Sequence, residues 1–500
     1  MNETEYRVHI RTAERPIVSI NNFVIPHNEI TFLFGESGIG KSLISKAIYG
    51  LLDPDELNVE INGQLYNYHL NRQWTKAIKQ NSFFVFQEPS SHLNSLMKIT
   101  DQLTEGTLKF ADDSKILQYL WQTTDDQSIK KIIDIYPKPY RPSGGEKQRI
   151  LLAMAFKKIN TFLEHGGENT PTMFVFDEPT GSLDDNYRNL FLNLLFKQFE
   201  RKQFTIILIT HDYSIISEVY RKHKHLLDRI HFKELSRQDD YNITLDDFSA
   251  DDYLLWLDET MRAQVSQPQD EIVLEVDANF SIFDRQLTIY QDEYYTEPAN
   301  LTIRKGEMVY LKAPSGVGKT TLAKIIMGLY SPQQFRMTLD GMTVTERTSK
   351  AVWQKRIWGK KAGMVFQHAD EALNLQVNVK EVFTGLPLQK KLSGDELSVT
   401  LSDLFEGDVS KSFINKKVAF LSGGQKQRLN LLRTLIMDTD LIVLDEPLNG
   451  LDFVSIKKVF DILEQKRRSG SALLLISHNE EIFDSLVDKE HVYYLSWKQY

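Results

Sequence analysis

Two segments of this chain have the glycines, lysine and hydroxyl that phosphate binding needs. They are Gly35-Glu36-Ser37-Gly38-Ile39-Gly40-Lys41-Ser42 and Ala313-Pro314-Ser315-Gly316-Val317-Gly318-Lys319-Thr320, the latter followed directly by Thr321. Each follows an apolar run and leads into a helical pattern, as expected of a glycine-rich loop that folds its N–H groups around phosphate. Lys41 and Lys319 would reach the β- and γ-phosphates, while Ser42 and Thr320 would bind Mg²⁺.

The second segment differs from the first at its first position. Ala313 stands where the first segment has Gly35. An alanine costs little there if its φ is negative, because only a positive φ strongly favours glycine. We therefore expect both segments to form phosphate loops.

Carboxylates follow two apolar runs that read as buried strands. Asp177-Glu178-Pro179 ends the run from Thr172 to Phe176, and Asp445-Glu446-Pro447 ends the run from Leu441 to Leu444. At the carboxyl edge of a sheet, beside a phosphate loop, Asp177 and Asp445 could hold Mg²⁺. The next residues, Glu178 and Glu446, are placed to polarise a water that attacks the γ-phosphate.

Two further pairs of polar residues end strands in the same order in each half of the chain. Gln87 and Gln367 follow Val85-Phe86 and Val365-Phe366, where an amide could reach Mg²⁺ or the attacking water. His211 and His478 follow the apolar runs Phe204 to Thr210 and Leu473 to Ser477, where an imidazole could donate to the γ-phosphate. A lone histidine at a strand end is usually a packing residue, but a matched pair indicates function.

A serine and two glycines open a helical pattern in each half. The residues are Ser143, Gly144 and Gly145, then Ser422, Gly423, Gly424 and Gln425. Backbone N–H groups and a hydroxyl at a helix N-terminus suit an anion. Since each half already has its own phosphate loop, this second anion site is expected to serve a nucleotide held by the other half.

The spacing of these residues shows that the chain is duplicated. The separation is 278 from Lys41 to Lys319, 280 from Gln87 to Gln367 and 279 from Ser143 to Ser422. It falls to 268 from Glu178 to Glu446, which places an insertion in the first half around residues 160–171. We predict domains over 1–235 and 271–500, joined by an acidic linker over 236–270 with a short helix at 253–260.

Composition narrows the class of protein. The 500 residues are 41% hydrophobic and 25% charged, with a net charge of −9 and no cysteine. These values fit globular domains and exclude disulfides and thiolate metal sites. The negative charge argues against a nucleic-acid partner. No apolar run is long enough to cross a bilayer and no signal peptide opens the chain, so a membrane role is expected to depend on partners.

Taken together, the phosphate loops, glutamines, S-G-G motifs, D-E pairs and histidines resemble the ATP-binding cassette ATPases. The resemblance implies two α/β P-loop NTPase domains, each with a RecA-like core, an antiparallel β subdomain and a helical subdomain. It also implies ATP and Mg²⁺ as cofactors and head-to-tail pairing of the two cassettes. The Lys41 loop would face Ser422 and the Lys319 loop would face Ser143. Residues 182–184 and 450–452 resemble the loops that cross such an interface.

The subfamily is indicated by Phe86-Gln87-Glu88-Pro89-Ser90-Ser91-His92-Leu93-Asn94, which resembles a stretch of the oligopeptide, dipeptide and nickel importer ATPases. The resemblance implies permease subunits and a substrate-binding protein as partners, at the cytoplasmic face of the membrane. Two alternatives stay open: the tandem ATPase of an energy-coupling vitamin or cobalt importer, and a translation or resistance factor that acts on ribosomes. The acidic linker argues against the ribosomal factor, whose linker is typically basic.

Overall fold

The structure, a computed structural model, describes most of the chain. The described residues are 3–106, 108, 114–125, 127–130, 142–167, 169–181, 185–239, 241–262, 269–283, 285–314, 316–388, 392–405, 409–477 and 480–497. The chain divides into two compact units, Met1–Tyr253 and Leu254–Tyr500. Each unit contains one copy of the repeated motifs, as the duplication predicts.

Strands of the first unit form one mixed sheet of ten strands, in the order β5-β4-β1-β2-β10-β9-β3-β8-β7-β6. The strands are β1 (Glu3–Arg11), β2 (Pro16–Pro26), β3 (Ile30–Gly35), β4 (Asn58–Ile61), β5 (Gln64–Leu65), β6 (Phe84–Val85), β7 (Phe174–Asp177), β8 (Ile206–Ile209), β9 (Ile230–Arg237) and β10 (Asn242–Asp247). The β9-β3-β8-β7-β6 part is parallel. The strands β1, β2, β4 and β5 pair antiparallel.

Helices of the first unit cover the parallel strands and form a helical part after Gln87. They are α1 (Lys41–Tyr49), α2 (Tyr66–Asn71), α3 (Gln73–Asn81), α4 (Ile99–Leu103), α5 (Ser114–Leu120), α6 (Gly144–His165), α7 (Asp185–Arg201) and α8 (Ser214–Lys222). A further helix, α9 (Ala250–Arg262), belongs to the first unit up to Tyr253 and to the second unit from Leu254.

The second unit has two sheets. A four-stranded antiparallel sheet has the order β14-β11-β16-β17, and a seven-stranded sheet has the order β12-β13-β21-β15-β20-β19-β18. The strands are β11 (Ile272–Val276), β12 (Asn279–Ile282), β13 (Arg285–Tyr290), β14 (Leu301–Arg304), β15 (Met308–Lys312), β16 (Arg336–Leu339), β17 (Met342–Thr345), β18 (Ala362–Val365), β19 (Leu441–Asp445), β20 (Ala472–Ile476) and β21 (Val492–Trp497). The β21-β15-β20-β19-β18 part is parallel, as in the first unit.

Helices of the second unit repeat the order of the first. They are α10 (Lys319–Ile326), α11 (Lys350–Val352), α12 (Ala369–Ala372), α13 (Gly394–Ser402), α14 (Lys411–Ile414), α15 (Gly423–Leu435), α16 (Phe453–Arg468) and α17 (Glu480–Asp484), with a π-helix at Trp353–Ile357. Within the described part of the chain, none of the helices combines the length and apolar character that crossing a bilayer requires.

The predicted linker needs correction. Residues 242–247 form β10, which pairs antiparallel with β9 and parallel with β2. Ile243 and Leu245 alternate with polar residues and are buried, so this strand packs on the core although aspartates end it. The predicted helix at 253–260 is present but longer, since α9 runs from Ala250 to Arg262.

The predicted insertion in the first half lengthens a helix. The helix that follows Ser143 runs for 22 residues, whereas its counterpart after Ser422 runs for 13. Several added residues, such as Ile159 and Phe162, are buried. The added turns therefore pack on the core of the first unit, and the loop begins only after His165.

Candidate functional site

The first phosphate loop joins β3 to α1 and depends on glycine geometry. Gly35, Gly38 and Gly40 have φ values of 131°, 80° and 118°. Lys41 is buried, and its Nζ donates hydrogen bonds to the backbone oxygens of Gly35 and Glu36, the latter at 3.1 Å. Burial lowers the pKa of the Lys41 ammonium, and the Glu178 and Asp177 carboxylates offset part of this effect. The loop thus surrounds a buried cation, which suits a phosphate ligand.

The second phosphate loop joins β15 to α10 with the same plan. Gly316 and Gly318 have φ values of 81° and 125°, and Lys319 Nζ donates to the backbone oxygen of Ala313. Thr320 and Thr321 lie in the first turn of α10. Ser315 lies outside the described residues. Ala313 has a negative φ, so an alanine at this position causes little backbone strain, as expected.

The two loops should differ in how much stability they lose when their first residue is exchanged between glycine and alanine. A Cβ on Gly35 would lie 2.8 Å from the backbone oxygen of Leu235, in addition to the strain of its φ. We expect Gly35→Ala to cost about 1–3 kcal/mol from backbone strain alone and to weaken nucleotide binding at the first loop. Ala313→Gly should cost less than about 1 kcal/mol. Thermal unfolding and nucleotide titration of both variants test this; equal losses would contradict it.

A hydroxyl and a carboxylate meet beside each phosphate loop. Ser42 Oγ donates to Asp177 Oδ1 at 2.8 Å, and Thr320 Oγ1 donates to Asp445 Oδ1 at 3.1 Å. Burial raises the pKa of Asp177 to about 6, although the Ser42 hydrogen bond opposes the shift. Burial likewise raises the pKa of Asp445 to about 6, against the hydrogen bond from Thr320. Each carboxylate is therefore costly to keep charged until a cation neutralises it.

The donor set fits Mg²⁺. Asp445 Oδ2 is buried and has no hydrogen-bond partner among the described residues. Mg²⁺ prefers such hard oxygen ligands and is usually bound by one or two protein carboxylates together with substrate phosphates. Ser42 and Asp177 would hold the ion in the first unit, and Thr320 and Asp445 in the second. When bound, the ion would neutralise negative charge on the phosphates.

The glutamates that follow these aspartates share an unusual backbone conformation. Glu178 and Glu446 have φ values of 47° and 49°, which non-glycine residues rarely adopt. Their N–H groups donate to the oxygens of Ile209 and Ile476, at 3.0 and 2.8 Å. The sheet thus holds each glutamate in a strained turn, and strain of this kind is common at functional sites. The proline that follows each glutamate does not predict this conformation, because a residue before proline normally favours extended backbone.

The two glutamates are held by different side chains. His211 Nδ1 lies 2.8 Å from Glu178 Oε1, so the structure brings these two predicted residues together. Burial acts to lower the pKa of His211, but the Glu178 carboxylate outweighs it and the pKa lies above its usual value. In the second unit Ser477 Oγ donates to Glu446 Oε2 at 2.8 Å. His478 lies outside the described residues.

Gln87 and Gln367 lie at the same edge of each sheet as the glutamates, but in the described part of the chain they form no hydrogen bond with them. Gln87 follows β6 and is exposed, while Gln367 follows β18 and is partly buried. Among the described residues, no hydrogen bond connects either amide to Glu178 or Glu446. Their proposed roles at Mg²⁺ or the attacking water stay predictions.

Both S-G-G motifs cap long helices. Ser143 Oγ accepts from the Glu146 N–H at 3.3 Å, and Ser422 Oγ accepts from the Gln425 N–H at 3.1 Å. In the first motif Ser143 Oγ also donates to Glu146 Oε2 at 2.9 Å. Gly144 and Gly423 are exposed, Gly145 is partly buried and Gly424 is buried. Each serine therefore caps the N-terminus of its helix, and the role of these termini at an anion stays a prediction.

Two buried glutamines further along these helices escaped the sequence analysis. Gln148 Nε2 donates to the backbone oxygen of Pro179 at 2.9 Å. Gln427 Nε2 lies 3.4 Å from the oxygen of Glu446 and 3.5 Å from that of Pro447. Each glutamine therefore couples its S-G-G helix to the turn that holds Glu178 or Glu446. Their separation of 279, equal to that of the S-G-G serines, was the available signal.

Aromatic residues near the loops fall into two groups. Tyr6 is 2% exposed and packs against Trp74 with ring centroids 6.0 Å apart, so it is unavailable to stack on a nucleotide base. Tyr290 is also buried, whereas Phe283 and Tyr294 are exposed. In the second unit, Phe283 and Tyr294 therefore have rings that a nucleotide base could reach.

Comparison with known proteins decides the family. The sequence profile described as ABC transporter matches residues 18–181 and 296–449. The chain belongs to the ABC transporter family. Its two cassettes carry the phosphate loops, hydroxyl–carboxylate pairs and glutamates described above, and the protein is an ATPase. Members of the family bind ATP, typically with Mg²⁺.

Similar proteins include uncharacterised and transport ATPases. The uncharacterised ABC transporter ATP-binding protein YejF of Escherichia coli is 26% identical, over 94% of this chain and 89% of its own. A provisionally named HMP/thiamine import ATP-binding protein of Bacillus subtilis, YkoD, is 22% identical over 95% of this chain and 86% of its own. The energy-coupling factor ATP-binding protein EcfA of Methanocaldococcus jannaschii is 31% identical over 39% of this chain and 68% of its own.

Among solved structures, the archaeal ribosome recycling factor aABCE1, in its complex with the stalk protein aP1, matches with a TM-score of 0.60. It is 17% identical and covers 96% of this chain and 87% of its own. At that identity the match supports the tandem ABC fold alone. The predicted fold class, with two P-loop NTPase domains, is thereby confirmed.

Proposed function

We propose that this chain is the ATP-hydrolysing subunit of an importer, bound to separate membrane permease subunits at the cytoplasmic face of the membrane. The observation that carries the proposal is the duplicated site. Each cassette has its own buried lysine, hydroxyl–carboxylate pair and strained glutamate. If a permease is built from two halves, the two cassettes of this chain would bind one half each.

In this proposal the two cassettes pair head to tail and bury two ATP molecules. Ser422, Gly423 and Gly424 contact the nucleotide at Lys41, and Ser143, Gly144 and Gly145 contact the nucleotide at Lys319. The capped helix N-termini support it, because they are otherwise unexplained anion sites in units that already have phosphate loops. ATP binding closes the pair and hydrolysis reopens it, which drives the permease.

Cargo class is proposed from the Gln87 segment, whose likeness to oligopeptide, dipeptide and nickel importer ATPases favours those solutes. A substrate-binding protein would then be a further partner. A second candidate is the energy-coupling importer of vitamins, favoured by the similarity to YkoD and EcfA over the lengths given above.

The test is purification of the chain from its own cell membranes with a tag and mild detergent. We expect permease subunits to co-purify and ATP turnover to rise when they are present with cargo. A pair of homologous permeases and a binding protein would support the peptide or nickel class, while one energy-coupling membrane subunit with small binding subunits would support the vitamin class. Co-purification of ribosomes in place of membrane subunits would overturn the proposal.

A further inference from the structure

One exposed surface of the second unit is strongly basic. Residues 347–361 contain six basic side chains and no acidic one. Lys361 pairs with Asp340 and Arg347 lies near Glu346, but Lys350, Lys355, Arg356 and Lys360 are exposed. No ion pair joins these four to a carboxylate in the part of the chain that the structure describes. We refer to Lys350, Lys355, Arg356 and Lys360 as the basic platform.

The segment that carries the basic platform is fixed to the core of the second unit by its apolar side chains. Trp353 and Ile357 are buried in the core of the second unit, and Trp358 Nε1 donates to the backbone oxygen of Met327 at 2.8 Å. Trp353 packs so closely on Gly328 that a Cβ there would lie 2.2 Å from the indole ring. The apolar side chains of the segment are thus fixed, and the cations are presented from the opposite side.

A π-helix at Trp353–Ile357 lies in this segment, where the first unit has the regular helix α3. The separation is 279 from Trp74 to Trp353 but 280 from Gln87 to Gln367, so the second half has one additional residue between them. A π-helix accommodates such an insertion and is frequent at functional sites.

Positive charge is concentrated by this arrangement. Lys360 Nζ donates to the backbone oxygen of Lys355 at 2.7 Å, which keeps two like-charged residues adjacent. At a separation of 279, Asn71, Lys76 and Ala77 correspond to Lys350, Lys355 and Arg356, so the first unit keeps only one of these cations. Unpaired neighbouring cations destabilise the free protein and favour an anionic partner.

We propose that the basic platform contacts anionic phospholipid headgroups of the membrane beside the permease. The aromatic rings of the segment are buried or hydrogen-bonded to the core. The exposed face therefore has no aromatic ring on which a nucleic-acid base could stack. Three of the four cations are lysines, which act as point charges and suit a diffuse negative surface. This inference rests on the membrane-associated role proposed above and extends it to the lipid.

The experiment measures flotation of the purified chain with vesicles of phosphatidylglycerol and phosphatidylcholine, and with phosphatidylcholine alone. We expect binding to the anionic vesicles at low salt, loss at high salt and no binding to neutral vesicles. Replacing Lys350, Lys355, Arg356 and Lys360 with alanine should lower the partition coefficient at least about 50-fold. ATP turnover in detergent-free solution should be unchanged, which separates this result from a failure of the ATPase.

The matched control removes four exposed cations of the first unit, with the variant Arg7→Ala, Arg72→Ala, Lys76→Ala and Lys224→Ala. It changes the net charge equally and should keep at least about half of the vesicle binding, if the platform supplies the contact. Equal losses in both variants, undiminished binding of the platform variant, or binding to a single-stranded RNA but not to anionic vesicles would overturn the proposal. Permease co-purification can succeed or fail independently of each of these results.

Discussion

Replacement of both Glu178 and Glu446 with glutamine is expected to lower ATP turnover at least about 100-fold while ATP binding changes less than about threefold. Glutamine keeps the shape of the side chain but cannot accept the proton of an attacking water. Both glutamates sit in the same strained turn beside a phosphate loop, so each half should contribute. Steady-state turnover and equilibrium nucleotide binding are the two measurements.

Replacing one glutamate at a time measures how much each cassette contributes to ATP turnover. Glu178→Gln alone leaves the second cassette's glutamate, and Glu446→Gln alone leaves the first, so each should retain some turnover unless the two sites are strictly coupled. The control is Glu56→Gln with Glu297→Gln, two exposed glutamates outside the repeated motifs of both halves. Unchanged turnover in the Glu178 and Glu446 double variant would rule out these residues as the bases.

Replacement of Asp177 and Asp445 with asparagine should abolish Mg²⁺-dependent turnover and yet stabilise the nucleotide-free protein. Each aspartate is buried and its pKa is raised to about 6 from an ordinary 3.8. The folded protein therefore binds these protons more tightly than the unfolded chain, and stability is lost as pH rises from about 4 through about 6. At pH 8, removing each charge should recover about 3 kcal/mol, or several degrees in unfolding temperature.

Thermal unfolding of both proteins across pH 4 to 8, without Mg²⁺ or nucleotide, measures this effect. The asparagine variant should show its largest advantage above about pH 6.5 and little advantage near pH 4. Asn71→Asp serves as a control for a surface amide and carboxylate exchange, since Asn71 is exposed. A variant that is less stable than wild type at pH 8 would contradict the assigned burial cost.

Residue spacing alone predicted which candidate site residues lie close together. Lys41, Ser42, Asp177, Glu178 and His211 each end or follow a parallel strand, and a shared strand edge brings such residues together whatever the intervening sequence. The same reasoning placed Lys319, Thr320, Asp445 and Glu446. Motif order therefore predicted the fold class and which candidate residues the parallel strands bring to one edge of each sheet.

Features that depend on long-range packing were not predictable in this way. The acidic composition of β10 predicts a linker, whereas its pairing with β2, more than 200 residues away in sequence, decides its structure. The positive φ of Glu178 and Glu446 depends on hydrogen bonds to neighbouring strands. The π-helix at 353–357 differs from α3 by a single residue, which is too small a change for periodicity to reveal.

We expect each cassette to complete the other's nucleotide site. The most direct test combines substitutions of the S-G-G serines with substitutions of the glutamates. In a Glu446→Gln background, turnover depends on the Lys41 loop, so Ser422→Arg should abolish it and Ser143→Arg should leave it nearly intact. In a Glu178→Gln background the outcome should reverse. Loss of turnover that follows the serine of the same cassette as the surviving glutamate would contradict the claim.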